Sequence, residues 1–214
     1  MKLRNIKNLI FDLDGTLIDS SEGVVNTVNA TLKHFGEPER TPPEITRFIG
    51  YPLEEMFHTF SHLPYPELWE KFQELGRDVI TDFSQPIEGV DLVLKELHQR
   101  GYRLGIGTTK IHFHLDKIVR KFEWNQLFDA LVGADDVPRV KPHPDAFLQV
   151  MSLLGGNTSN SLVVGDTIND LLAARAAGLT AAILPSPYGT SISSHSAAPD
   201  IKLKNFAELL QLLT

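Results

Sequence analysis

The hydrophobic pattern of the chain changes character near residue 89. Residues 7–13 form a short apolar run closed by Gly15, the mark of a buried strand. Beyond Gly15 the pattern is helical. Ser20 or Ser21 caps a helix that runs to about Phe35, where Gly36-Glu37-Pro38 breaks it. Residues 40–83 are helical in short pieces. Thr41 before Pro42 and Pro43 is a cap with proline in the first turn, Gly50-Tyr51-Pro52 and Leu63-Pro64-Tyr65-Pro66 are breaks, and 66–83 suits a longer helix. No convincing strand is found between Gly15 and Gly101. Beyond Gly89, helices at 90–99, 113–122, 144–154 and 168–177 alternate with strands at 102–108, 128–133, 162–165 and 179–184. A last helix is expected at 205–213, after a Ser/Pro/Gly-rich surface loop at 186–199. Strands separated by helices of this length require crossovers, and so a parallel sheet covered on both faces. The fold class expected is α/β, one domain of residues 1–16 and 86–214 with an all-helical insert at 17–85.

Composition narrows the function classes. The chain of 214 residues is 42% hydrophobic and 22% charged, enough apolar material for a sizeable core. Its net charge of -7, with no basic run, argues against nucleic-acid or anionic-membrane partners. The lack of cysteine excludes disulfides, thiolate catalysis and Cys-ligated zinc. No window approaches the ~20 apolar residues of a membrane helix, and Asp12 cuts the first apolar run short of a signal peptide. A cytoplasmic protein, monomer or homodimer, is expected.

Ligands of open parallel sheets bind beyond the carboxyl ends of the strands. Asp12 and Asp14 follow the first expected strand. Thr108, Thr109 and Lys110 follow the second; Asp135, Asp136 and then Lys141 the third; Asp166 and Asp170 the fourth. Strand alternation turns Asp12 and Asp14 one way and Leu13 the other. Asp12, Asp14, Asp166 and Asp170 near one point call for a hard divalent cation, and Mg²⁺ suits an oxygen-only site that also holds phosphate. Lys141, the Thr108 hydroxyl, Thr109 and the backbone N–H groups at Gly15 and Thr16 are the candidate phosphate donors. Asp12 can attack phosphorus to form an aspartyl-phosphate, while Asp14 protonates the leaving oxygen and later deprotonates water.

Phe11-Asp12-Leu13-Asp14-Gly15-Thr16, Thr108, Lys141-Pro142 and Gly165-Asp166-Thr167-Ile168-Asn169-Asp170 together resemble, in order and spacing, the four motifs of the haloacid dehalogenase superfamily. The resemblance implies a Rossmann-like core with a helical cap inserted after the first strand. It also implies Mg²⁺ held by Asp12, the backbone carbonyl of Asp14 and Asp166, with support from Asp170. Dehalogenases of the superfamily lack the second aspartate of the first motif, so Asp14 favours phosphoryl transfer, and Thr16 is the residue that phosphatases usually carry. The stretches 139–147 and 165–178, and 47–53 in the cap, are similar to phosphoglycolate phosphatases. The cap stretch makes Arg47 and Gly50 candidates for reading the substrate, a small phosphorylated metabolite. Pyrophosphatase and β-phosphoglucomutase-like mutase activities are the alternatives, with a phospho-receiver or a phosphometabolite-binding protein as non-enzyme readings.

Two patterns are set aside. Gly105-Ile106-Gly107 opens like a dinucleotide fingerprint, but Lys110 stands where the third glycine belongs. His112 and His114 are two residues apart, do not share a helix face, and are expected at the surface.

Overall fold

The computed structural model describes residues 3–188 and 198–213. β1 (Asn8–Phe11) leads through a two-residue strand, β2 (Ile18–Asp19), into α1 (Ser21–His34), α2 (Pro42–Thr46), α3 (Leu53–Phe60) and α4 (Tyr65–Asp82). A second short strand, β3 (Gln85–Pro86), returns the chain. The alternating part then comprises α5 (Val90–Gln99), β4 (Arg103–Gly107), α6 (His112–Lys121), β5 (Ala130–Val132), α7 (Asp145–Leu153), β6 (Ser161–Gly165), α8 (Ile168–Ala176) and β7 (Thr180–Ile183). The chain closes with β8 (Ile201–Lys202) and α9 (Leu209–Leu212).

Among the described residues the main sheet has six strands in the order β5-β4-β1-β6-β7-β8, all paired in parallel. The chain starts at β1, builds outward to β5, then returns to the other side of β1. That reversal is the switch point where ligands of doubly wound sheets bind. Phe11 pairs with Ile106 of β4 and with Val164 of β6, so the three central strands end in register. Asp12 therefore emerges beside the ends of β4 and β6.

β1 is buried on both faces, as a central parallel strand must be. Leu9 and Phe11 join a core with α5, α6 and the C-terminal helix, whereas Ile10 joins a second core under α7 and α8. Leu13 continues the first set. Helices α1 to α4 enclose a third core, built on Val28, Leu32, Ile45, Phe57 and Leu68.

Two expectations need correction. Ile18 and Asp19 pair antiparallel with Pro86 and Gln85, forming a ribbon at the two chain crossings of the helical segment. Two residues are too few to show a period of two, and Pro86 argues against a strand in sequence. The last helix begins as a 3₁₀ turn, Phe206–Glu208, and β8 precedes it as an edge strand of two residues. The expected loop at 186–199 lies mostly outside the described residues.

Close packing of α7 on β4 depends on Gly105: a Cβ there would lie 2.4 Å from Val150 Cγ1. Val150 is buried and β-branched, with few rotamers to escape into. Gly105→Ala is expected to lower stability by about 1–3 kcal/mol in urea unfolding; an unchanged midpoint would contradict this packing.

Candidate active site

Asp12 is 1% exposed, at the first position after β1, and its backbone N–H donates to the Val164 carbonyl at 2.9 Å. Lys141, from the loop between β5 and α7, is also 1% exposed. Its Nζ donates to Asp12 Oδ1 at 2.5 Å and to Asp170 Oδ1 at 2.6 Å, and it lies 5.4 Å from the centre of the Phe147 ring. Asp170 sits in the first turn of α8, where it completes a capping box. Thr167 donates to Asp170 Oδ2 from its hydroxyl at 2.6 Å and from its backbone N–H at 2.9 Å. Both oxygens of Asp170 are thus engaged by protein. Asp166 Oδ1 accepts from the Thr16 hydroxyl at 3.0 Å.

At this site Asp12 Oδ2 and Asp166 Oδ2 are buried and have no protein partner among the described residues. Asp12, Asp166 and Asp170 each offer an oxygen within 4.8 Å of the others. Orphaned carboxylate oxygens converging in a buried place are a fit for a hard cation, and an all-oxygen set is what Mg²⁺ takes. The chain approaches closely here because Gly15 lies at φ +85°, and a Cβ there would stand 2.4 Å from Asp166 Oδ2.

The electrostatics stem from burial. Desolvation, reinforced by the charge of Asp170, pushes the Asp12 carboxyl well above the usual carboxylate range, against the pull of Lys141. Desolvation and Asp170 likewise raise Asp166, to about 7, opposed by the hydrogen bond from Thr16 and the charge of Lys141. Burial alone would lower Lys141; the charges of Asp12 and Asp170 outweigh it and raise the ammonium above its ordinary value.

Asp14 faces a different set of groups. Its Oδ1 accepts from the Ser20 hydroxyl and pairs with Lys110 Nζ at 3.2 Å. Sequence reasoning assigned neither partner to it. Ser20 reads as a helix cap, but its hydroxyl turns to Asp14 and caps nothing in α1. Its backbone N–H donates to the Tyr188 hydroxyl at 3.3 Å, a contact no local pattern foretells. Thr108 is buried at the end of β4, and its hydroxyl accepts from the Lys110 N–H at 3.1 Å.

Most of the expected residues therefore meet: Asp12, Asp14, Gly15, Thr16, Thr108, Lys141, Asp166 and Asp170 share one rim. Asp135 and Asp136, read onto the same rim, instead bind His112 through its backbone N–H and its ring at 2.6 Å each. Beside the rim, a cavity of about 80 Å³ lies between the helical segment and the strand ends; Asp14, Thr109 and Lys110 line it from one side and Gly50 from the other. Gly50 sits at φ +89°, where a Cβ would stand 2.7 Å from Thr167 Cγ2, so the helical segment touches the α8 cap at that point. Arg47 is not brought there: it is exposed and stacks on the Phe48 ring at 4.9 Å. The histidine pair divides. His112 is partly exposed, as expected, but His114 is 2% exposed and lines the cavity. A single polar residue on the inner face of an amphipathic helix was the available signal.

The model of the haloacid dehalogenase-like hydrolase family matches residues 9–184, which span all four motifs. The chain belongs to this family. A pyrophosphatase PpaX from Anoxybacillus flavithermus is 30% identical over 212 residues, covering 98% of this chain and 97% of the relative. The structure is similar to that of a predicted phosphoglycolate phosphatase from Haemophilus somnus, with TM-score 0.85 and 26% identity over 97% of this chain and 98% of the other. A haloacid dehalogenase-like family hydrolase from Streptococcus pneumoniae also superposes with TM-score 0.85, at 28% identity over 97% and 98% of the two chains.

Burial, with the charges of Lys110 and Lys117, pushes the His114 imidazole down to about 4, against the weaker opposing pull of Asp14 and Asp78. In the unfolded chain it titrates near its ordinary value of 6.5. As pH falls through that window, the unfolded chain takes up a proton that the folded chain refuses, and the folded state loses stability. His114→Gln is expected to flatten this part of the thermal-unfolding profile between about pH 6.5 and 4. A profile that keeps its slope would show that the imidazole titrates freely.

Proposed function

We propose that this chain is a Mg²⁺-dependent phosphatase of small phosphorylated metabolites that works through an aspartyl-phosphate on Asp12. The observation that carries the reading is the state of Asp12: one oxygen is fixed by Lys141 and the other is buried and unpartnered, in a cluster where Asp12, Asp166 and Asp170 each offer an oxygen within 4.8 Å of the others. Asp12, the Asp14 backbone carbonyl and Asp166 would hold the metal, with Asp170 bracing Lys141 and the loop around Asp166. When bound, Mg²⁺ supplies positive charge against the carboxylates and the phosphoryl oxygens.

The remaining work falls to the chain. Lys141, the Thr108 hydroxyl, Thr109 and the backbone N–H groups at Gly15 and Thr16 orient the phosphoryl oxygens. Asp12 attacks phosphorus, the bond to the leaving oxygen breaks, and Asp14 gives that oxygen its proton. Water then attacks phosphorus, Asp14 takes the water's proton, and phosphate departs with Asp12 restored. Ser20 and Lys110 position the Asp14 carboxylate for both transfers. Residues 17–85 act as a cap over a core of 1–16 and 86–214, and the β2–β3 ribbon is the natural hinge between them.

Phosphoglycolate is the substrate suggested by the motif resemblance and by the name of the Haemophilus protein. Pyrophosphate is the second reading, favoured by the PpaX relative of 30% identity. A net charge of -7 fits a cytoplasmic enzyme, monomer or homodimer, that binds neither nucleic acid nor membrane. No helix among the described residues is long and apolar enough to cross a membrane.

Phosphate release with Mg²⁺, across phosphoglycolate, pyrophosphate, hexose phosphates and p-nitrophenyl phosphate, tests the reading. Asp12→Asn is expected to lower turnover by roughly 10³-fold or more on every ester that the wild type hydrolyses; retained turnover would remove Asp12 as nucleophile. Chelation should abolish activity and lower Tm, and added Mg²⁺ should restore both. Activity that survives exhaustive chelation would refute the metal requirement.

A further inference from the structure

His114 is a buried titratable side chain with no task in the steps above. It is 2% exposed, and neither ring nitrogen has a hydrogen-bond partner among the described residues. A neutral imidazole carries one N–H donor and one acceptor nitrogen. Leaving both unmade inside a protein is costly, and a native structure keeps such a group for a reason. His114 lines the same cavity that Asp14 and Lys110 line.

The cavity wall is otherwise largely apolar. Val24, Phe48, Met56, Trp69, Phe72 and Ile80 supply much of it, all from the helical segment. Among the described lining residues the charged groups are Asp14 and Lys110, and these pair with each other at 3.2 Å. No second cation among them is free to meet a carboxylate or another phosphoryl group. An anionic leaving group would be desolvated against aromatic rings and beside Asp14, which is unfavourable on both counts. The volume of about 80 Å³ has room for several waters, or for the ring-sized group that displaces them.

We infer that this cavity is the leaving-group site, and that it selects phosphate monoesters of an uncharged aromatic or branched alcohol bearing one neutral hydrogen-bonding group, which His114 reads. The inference rests on the phosphatase reading, because the leaving oxygen is the one that Asp14 protonates and Asp14 stands on the cavity wall. It parts from phosphoglycolate and pyrophosphate, whose leaving groups are anions. His114 acts on specificity: it meets the departing alcohol, whereas Asp12 and Asp14 meet the reacting atoms.

The test compares benzyl phosphate, 3-hydroxybenzyl phosphate, phosphoglycolate and pyrophosphate with the full chain and Mg²⁺. Benzyl alcohol is a leaving group about as poor as glycolate, so the comparison between those two esters reports recognition and not intrinsic reactivity, whereas pyrophosphate carries the better leaving group. Benzyl phosphate is expected to exceed phosphoglycolate and pyrophosphate in kcat/KM by about tenfold or more, and the hydroxyl to add to that preference. His114→Leu should cut the ratio of 3-hydroxybenzyl to benzyl turnover by about tenfold, and His114→Gln, which keeps a donor and an acceptor, should restore part of it. Preference for phosphoglycolate or pyrophosphate, lost with Asp12→Asn, would overturn the substrate class and leave the phosphatase intact. Benzylphosphonate, which cannot be hydrolysed, separates the two readings when titrated while the His114 ring resonances are followed by NMR. Shifted resonances without hydrolysis of any ester would keep the cavity assignment and sink the phosphatase. Unmoved resonances at saturating ligand would overturn the cavity assignment whatever the activity.

Discussion

Three carboxylates and one ammonium, Asp12, Asp166, Asp170 and Lys141, sit together where water scarcely reaches, each of them 1% exposed or less. Burying an ion costs several kcal/mol before any partner is found, and a like charge close by adds to that cost. Lys141 answers part of it by bridging Asp12 and Asp170, residues separated from it by 129 and 29 positions. The capping box at the start of α8 answers another part, since Thr167 offers Asp170 two donors. What remains unanswered is localised on Asp12 Oδ2 and Asp166 Oδ2. The imbalance is therefore not spread through the core but gathered on these two oxygens, where a cation can resolve it.

The arrangement requires the sheet order. β1, β4 and β6 end level with one another, so the residues after each strand reach the same rim. Asp12 and Asp166 come from adjacent parallel strands; Lys141 comes from the loop beyond β5, and its stem packs in the interior. Gly15 lets the turn after β1 press against Asp166. A side chain at that position would separate the two carboxylates that share the unmet charge.

The helical segment meets this rim through a few contacts that differ in kind. Gly50 touches Thr167, the cap of the helix that carries Asp170. Ser20, at the head of α1, donates to Asp14, and Phe48 together with Trp69 and Phe72 of α4 lines the same cavity as this carboxylate. In the proposed reaction, substrate recognition and acid–base chemistry would share Asp14 as a common boundary. Tyr188, from the segment after β7, packs against the helical core while its hydroxyl meets the Ser20 N–H, joining both parts of the chain at the ribbon.

Local sequence carried a large part of this. Apolar runs such as 161–165 and the periodicity of 90–99 are intrinsic to their residues, and the alternation they form admits little but a covered parallel sheet. Asp12, Asp14, Thr108, Lys141, Asp166 and Asp170 were legible because each follows a strand or opens a helix, and topology sends those positions to one edge. Where a property depends on what lies opposite in space, the sequence was silent. Ser20 looks like a cap until Asp14 is seen beside it, and the sequence does not foretell that Arg47, a candidate for reading the substrate, stacks on the Phe48 ring. His114 looks like a surface histidine until helix α6 docks and the imidazole is enclosed. The β2–β3 ribbon and β8 are two residues each, held by pairing and not by propensity, and so left no periodic trace. Motif order is written along the chain, whereas burial, ion pairing and cavity lining are properties of neighbours that only the folded chain brings together.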